Sequence, residues 1–171
     1  MKTVKIVLGI LVVLTVVFFG TGLVIKESQY TVEANINKPI EETFQLFNNQ
    51  EKISQWMPEI KNIETIEKKP GITGSEYRVT VDNNGEVVSM KEKVLAYVPN
   101  EKVTLFIDAE NVLKTDDYTF VKEGDQTKII LNATYEAESY ILACVFPYFK
   151  GKFKEVDENS LNNFKEFAEQ Q

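Results

Sequence analysis

The sequence predicts an α+β domain: a curved antiparallel sheet of about seven strands around one long C-terminal helix, preceded by one transmembrane helix. Three observations carry this reading. Residues 6–25, IVLGILVVLTVVFFGTGLVI, hold no charge. Apolar and polar residues then alternate through much of 30–138, interrupted by turn-forming clusters, which is the period of half-buried strands. Near the C-terminus Phe149, Phe153, Val156, Leu161, Phe164 and Phe167 recur at helical spacing among Lys and Glu, the stripe of a helix with one buried face. Strand, two short helices, six strands and a long helix bury their apolar faces most economically as one curved sheet closed on one helix.

The 20 uncharged residues from Ile6 to Ile25 make a helix of ~30 Å, the depth of a bilayer's hydrocarbon core. Lys2, Lys5 and the terminal amine precede it, and Lys26 and Lys38 follow. That balance predicts a cytoplasmic N-terminus and an exported domain. The expected organisation is a single-pass cell-membrane protein, with residues 1–26 as anchor and 27–171 as the extracytoplasmic domain. A cleaved signal peptide is the alternative, since Gly20-Thr21-Gly22 is a small-x-small triplet, although Leu23-Val24-Ile25 continues the apolar run past it. A buried soluble helix is a third reading. Only Lys26 to Gln29 join the span to the first strand, and four residues reach at most ~15 Å, so the domain must sit close over the bilayer.

Composition excludes much chemistry. The chain has no His and one Cys, so Ser-His-Asp and Cys-His catalysis, most zinc sites, disulfide frameworks and Cys-x-x-Cys motifs are absent. The net charge is −7, the wrong sign for nucleic acid, which needs a basic footprint. All 26 acidic residues lie beyond residue 26; this acidity favours solubility and repels anionic lipid. No cofactor or metal is expected.

Tyr30, Val32, Ala34 and Ile36 alternate with polar residues as the first strand. Pro39 with Glu41 and Glu42 suits a helix start, with Ile40, Phe44 and Phe47 on one face. Glu51 to Trp56 reads as a second short helix, stopped before Pro58. Asp82-Asn83-Asn84-Gly85 reads as a four-residue hairpin loop, pairing Val81 with Glu86, Val79 with Val88, Tyr77 with Met90 and Glu76 with Lys91. Pro99 to Glu101 and Lys122 to Asp125 mark further turns. In the last hairpin Tyr118 and Phe120 share a face with Ile129, Leu131 and Tyr135. Pro147 divides the C-terminal region into a short segment, Ser139–Phe146, and a long helix from about Tyr148.

Ile36-Asn37-Lys38-Pro39-Ile40-Glu41-Glu42-Thr43-Phe44, followed by Trp56-Met57-Pro58-Glu59-Ile60, resembles the opening of SRPBCC proteins. That superfamily includes START domains, polyketide cyclases/aromatases and birch-pollen-allergen-like carriers. Met90-Lys91-Glu92-Lys93-Val94 and Gly124-Asp125-Gln126-Thr127-Lys128 are also similar to it, and the ordered set covers about residues 28–170. The resemblance implies a helix-grip fold with an apolar cavity between sheet and long helix. Fold does not imply function, because the superfamily hosts carriers, cyclases, hydrolases, co-chaperones and toxins.

Glu92 is the sharpest candidate, a carboxylate on the inner face of the sheet whose pKa desolvation would raise. Trp56, Tyr77, Met90, Tyr118, Phe120, Phe146 and Phe149 complete the expected ligand-binding set, aromatics and Met being suited to the wall of an apolar pocket. Other residues carry less. Cys144 lacks a base and reads as a buried apolar residue. Gly71 to Gly74 is a turn without the Gly-Lys-Ser/Thr of a phosphate loop. Asp116 and Asp117 are strand neighbours pointing to opposite faces, so they do not work jointly. Asn132-Ala133-Thr134 is a glycosylation sequon in a strand. Lys150, Lys152 and Lys154 scatter around a helix.

The expected function is therefore non-catalytic binding of a hydrophobic small molecule or lipid at a membrane. The alternative is a cyclase/aromatase- or hydrolase-like enzyme using Glu92 and Tyr77, against which stand the lack of His and of any convergent polar set. A protein-binding adaptor is a third class. Tyr140 to Phe149 is apolar nearly all round, and Ile141, Leu142, Val145 and Phe146 are expected to gate the cavity and to dip into the membrane interface.

Overall fold

The computed structural model describes residues 2–25, 27–83 and 85–171. The chain runs α1 (Lys2–Val24), β1 (Glu27–Ile36), α2 (Ile40–Phe47), a single 3-10 turn (Ile53–Gln55), β2 (Ile60–Glu67), β3 (Glu76–Asn83), β4 (Glu86–Val98), β5 (Lys102–Ala109), β6 (Val112–Glu123), β7 (Gln126–Ala137) and α3 (Tyr140–Glu169). All seven strands form one antiparallel sheet in the order β1-β7-β6-β5-β4-β3-β2. β2 to β7 is a meander. β1 pairs with β7 at the far edge, and α2 with the 3-10 turn carries the chain from one edge to the other. This is the helix-grip architecture the sequence predicts.

Strict alternation along β1 buries Ser28, Tyr30, Val32, Ala34 and Ile36. Their partners Ile129, Leu131 and Ala133 on β7 and Phe120 on β6 are buried on the same face. α3 lies across that face and seals it with Leu161, Phe164, Phe167 and Ala168. The Glu169 carboxylate accepts the Asn37 backbone N–H at 2.9 Å, pinning the end of α3 to the exit of β1.

Four local expectations are corrected. The β3–β4 register is Val81↔Val88, Val79↔Met90, Tyr77↔Glu92 and Glu76↔Lys93. Pairing runs on to Asn83↔Glu86, so the connection is two residues long rather than four. Asn-Gly is the preferred two-residue hairpin sequence, and Gly85 takes φ 93°. The shift of two leaves every side chain on its expected face, and Glu76 is contacted by both Lys91 at 2.7 Å and Lys93 at 3.1 Å. Second, Glu51 to Trp56 yields only one 3-10 turn.

Third, α3 is one continuous helix with Pro147 inside it. A proline there removes one helical hydrogen bond at a cost of ~3 kcal/mol, and contacts on both sides of it hold the helix together. α1 crosses this stretch. Phe19 stacks on Tyr140 and Phe18 on Tyr148, with centroids 6.3 and 6.2 Å apart, and the Tyr140 hydroxyl donates to the Phe19 carbonyl. Gly22 makes the close approach possible, since a Cβ there would lie 2.5 Å from Cys144 Sγ. The all-round apolar character of residues 140–149 therefore has a partner that helical periodicity alone does not reveal. α3's buried stripe also differs from expectation. Val156 is exposed, and Asp157 takes the inward position.

Candidate functional site

β3, β4, β5 and β6 diverge from α3 at the end of the sheet roofed by α2, the 3-10 turn and the β2–β3 loop. Beneath that roof lies a cavity of about 600 Å³. Its walls are mainly apolar, from Phe47, Trp56, Val79, Val94, Val103 and Leu105 among others, and its rim carries Asn48, Glu51 and Lys68. Ile72 reaches it from the loop before β3 with a left-handed φ of 70°, a strained setting for a β-branched residue. Gly74 N–H bonded to the Val94 carbonyl and Val94 N–H bonded to the Ser75 carbonyl clamp that loop to β4.

Of the residues singled out by sequence, Trp56, Tyr77, Glu92 and Tyr118 line this cavity. Phe120 lies deeper in the core, 5.0 and 5.3 Å from the rings of Phe44 and Phe47. Met90 borders a separate, open depression of about 440 Å³ among charged residues such as Arg78, Lys91 and Asp108. Phe146 is buried against Phe153, with ring centroids 5.5 Å apart, and Phe149 is half exposed. Neither borders the cavity. Ile141, Leu142 and Val145 do not reach its mouth either; the segment expected as a gate lies against α1.

The cavity's inner wall holds a polar cluster that the sequence reading did not assemble. Glu92 lies opposite Tyr77 and Ile107 in the sheet. Asp116 joins it in the wall, 3% exposed. Lys114 Nζ bridges Asp116 Oδ2 and Asp157 Oδ1, each at 2.8 Å. Asp157, from α3, accepts the Tyr30 hydroxyl at 2.8 Å on its other oxygen. The Lys114 ammonium sits 5.2 Å over the Tyr135 ring, a cation–π contact. Two buried atoms in the cavity wall have no hydrogen-bond partner, Asp116 Oδ1 and Trp56 Nε1. Buried polar atoms are rarely left so. A convergent polar set is thus present, contrary to expectation. Asp117 points to the outer face, to Lys102 and Thr104, so the two neighbouring acids are separated as predicted.

Burial, and secondarily the charge of Asp116, pushes the Glu92 carboxyl up to about 7. The cavity lets water reach part of this side chain while protein surrounds the rest. Burial pushes Asp116 up to about 6 despite the attraction of Lys114. Burial pulls the Lys114 ammonium down, but Asp116, Tyr135, Tyr118 and Asp157 outweigh it and hold the group well above its ordinary range. Burial, then Asp116, raises the Tyr118 phenol strongly. An acid near neutrality beside a permanent cation and an un-ionised phenol can bind a polar head or exchange a proton with it.

The phase of β6 could have revealed this cluster. Lys114 and Asp116 share the parity of Tyr118 and Phe120, so counting back by two from the aromatics places both inside. The contribution of Asp157 carries no such mark.

The family described as polyketide cyclase / dehydrase and lipid transport matches residues 28–169. No curated protein matches the chain in sequence. Among solved structures, a START superfamily protein from Mycobacterium smegmatis is 17% identical with a TM-score of 0.71, covering 83% of this chain and 97% of its own. An aromatase/cyclase from a Streptomyces species is 13% identical with a TM-score of 0.68, covering 84% and 94%. The protein Ara h 8.0201 is 14% identical with a TM-score of 0.68, covering 85% and 99%. At these identities the likeness is one of fold.

Proposed function

The chain belongs to the polyketide cyclase / dehydrase and lipid transport family, and on that premise we propose that it is a membrane-anchored, non-catalytic binding protein for a hydrophobic small molecule or lipid. The observation that carries this is the apolar cavity of about 600 Å³ beneath α2, a volume in the range of ligand sites. Burial of a ligand's apolar surface there supplies affinity at ~25 cal/mol per Å². Native mass spectrometry of the full-length protein taken from membranes tests it. A co-purifying apolar ligand lost from a Val79→Trp variant, which fills the cavity, is the expected result. An empty cavity under every gentle extraction overturns it.

One described helix, α1, is long and apolar enough to cross a membrane, and most of its side chains are exposed. As a single-pass anchor with the domain on the extracytoplasmic face, it has a consequence for α3. Residues 6–17 alone span only ~18 Å, short of the ~30 Å required, so Phe18 to Gly22 must lie within the hydrocarbon. The contacts of Phe18, Phe19 and Gly22 with Tyr140, Cys144 and Tyr148 then bring the first turns of α3 to the same depth. The exposed Ile141, Tyr148 and Phe149 meet lipid rather than water, and the exposed Lys150 and Lys152 follow at headgroup level. In a Trp56→Phe background, Leu11→Trp and Phe149→Trp should both be quenched by brominated lipid. Quenching at 11 but not at 149 leaves the anchor and removes the seating of α3; quenching at neither removes both.

An enzymatic reading in the cyclase or hydrolase class is favoured by one observation, the Glu92 carboxyl at about 7 facing the cavity. Under the binding reading, Glu92→Gln and Tyr77→Phe change ligand binding only moderately. A turnover that falls ~100-fold or more in either variant establishes the enzyme instead.

A further inference from the structure

The cavity's polar end has acceptors to spare and too little positive charge. Lys114 is engaged by Asp116 Oδ2 and Asp157 Oδ1, and Tyr30 gives its hydroxyl proton to Asp157 Oδ2. Both Asp157 oxygens are thereby occupied. Asp116 Oδ1 remains, buried and without a donor. Among the described residues, no hydrogen bond or ion pair within the limits of normal geometry reaches Glu92. Three carboxyl groups thus share one ammonium. The other charged residues bordering the cavity, Glu51 and Lys68, stand at its rim with Asn48 and Gln50. A second unpartnered atom belongs to the opposite class: Trp56 Nε1, a buried donor on a residue 4% exposed that lines the same space.

Resting on the carrier reading, we propose that the cavity takes an apolar amine: a ligand whose hydrocarbon body lies along the Phe47, Val94 and Leu105 walls, whose protonated nitrogen docks on Asp116 Oδ1 and Glu92, and which carries an oxygen acceptor for the indole N–H of Trp56. A neutral hydroxyl would satisfy one acceptor and leave the charge imbalance. A carboxylate or phosphate head would add a further anion to the cluster, and like charges in a desolvated site cost several kcal/mol. Among the described residues no three His, Cys, Asp or Glu side chains are grouped to hold a metal ion. An ammonium head supplies both missing elements, the donors and the charge, through up to three N–H bonds strengthened by charge. The ligand therefore differs in sign from fatty acids and anionic phospholipids of the surrounding membrane, which the site turns away.

Trp56 is the only tryptophan of the chain and lines the cavity, so its fluorescence reports occupancy directly. Octylamine, octanol and octanoate share one chain and differ in the head. Each is titrated at pH 8 into the full-length protein in zwitterionic nanodiscs, with empty nanodiscs correcting for partition into lipid. Octylamine is expected to bind at least about 10-fold tighter than octanoate, with octanol between them, tenfold corresponding to ~1.4 kcal/mol. Glu92→Gln should shrink the amine-to-carboxylate ratio by about 10-fold and leave octanol within about twofold. Asp117→Asn, which removes the neighbouring acid on the outer face, should leave the ratio unchanged. Octanoate binding as tightly as octylamine, or a ratio indifferent to Glu92→Gln, overturns the amine assignment while the carrier reading stands. If none of the three perturbs Trp56, both fall.

Discussion

The two ends of the space beneath α3 are built from the same sheet face and come out differently. Where β1, β7 and the C-terminal half of α3 meet, Ile36, Ile129, Leu131, Leu161 and Phe164 are at most 2% exposed, and the buried Thr127 hydroxyl among them has its partner, the Lys38 carbonyl at 2.8 Å. Where β3 to β6 meet α2, the same alternation of inward residues leaves about 600 Å³ open, and the wall includes Glu92 and Asp116. The salt-bridged triad of Lys114, Asp116 and Asp157 contributes both to the cavity wall and to the contact of α3 with the sheet. Close packing leaves no room for an acceptor without a partner; the one buried side-chain acceptor left without a partner among the described residues, Asp116 Oδ1, belongs to the open end. The difference separates what holds this fold together from what it offers to a ligand.

The largest test of that separation is Phe164→Ala. Phe164 is fully buried and lies 5.0 to 5.2 Å from the rings of Trp56 and Phe47, so its loss should cost about 4–5 kcal/mol of unfolding free energy. Denaturant unfolding of the domain, followed by near-UV circular dichroism, measures it. A loss below about 1 kcal/mol would place Phe164 in a loose region and erase the contrast between the two ends.

Lys114→Met comes next, at about 3 kcal/mol near pH 8, because Asp116 and Asp157 are left buried without their cation. The effect is smaller than a fully stranded pair would give, since Asp116 can take up a proton. The cost should therefore shrink as pH falls toward about 6, the value of Asp116 with Lys114 in place, because without the lysine's attraction the variant's Asp116 takes up its proton at higher pH. A cost independent of pH would mean that Lys114 acts through packing of its stem alone.

Most of the fold was legible because it rests on period. The alternation in β1, the pairing of Tyr118 with Leu131 and of Phe120 with Ile129, and the inward placement of Glu92 need only parity within a strand. Features joining distant segments were not legible. The Tyr30–Asp157 bond spans 127 positions, and an aspartate on a helix reads as a solvated residue until its partner is known. Val156 looked inward because helical spacing tolerates an error of one position, and Asp157 fits better on the line through Phe153, Leu161, Phe164 and Ala168. Pro147 looked like a break because the sequence does not show α1 lying across it. The cavity had the weakest mark of all: Phe120 and Tyr118 share a face two residues apart on one strand, yet Phe120 is core, packed on Phe44 and Phe47, while Tyr118 lines open space.

Glu92→Gln is the smallest expected effect and the most discriminating. The folded protein holds this carboxyl at about 7, against an ordinary value of 4.5. Between those values the folded state binds the proton more tightly than the unfolded chain does. Stability therefore falls as pH rises from about 4.5 to about 7 and levels off above that, where the full cost of a buried carboxylate is present. Asp116, pushed from 3.8 to about 6, slopes the same way over a lower window. Removing the ionisable group at Glu92 should abolish the upper part of the slope and stabilise the protein at pH 8 by about 1–3 kcal/mol, with little change near pH 5. Comparing the unfolding free energies of the two proteins at both pH values measures the share of Glu92 directly. If the variant gains nothing at pH 8, water reaches Glu92 freely and the open end is merely a wet surface cleft. A gain that disappears when octylamine is present would show that the ligand's ammonium had already relieved the same cost, which ties the instability of this end of the molecule to the charge of what it binds.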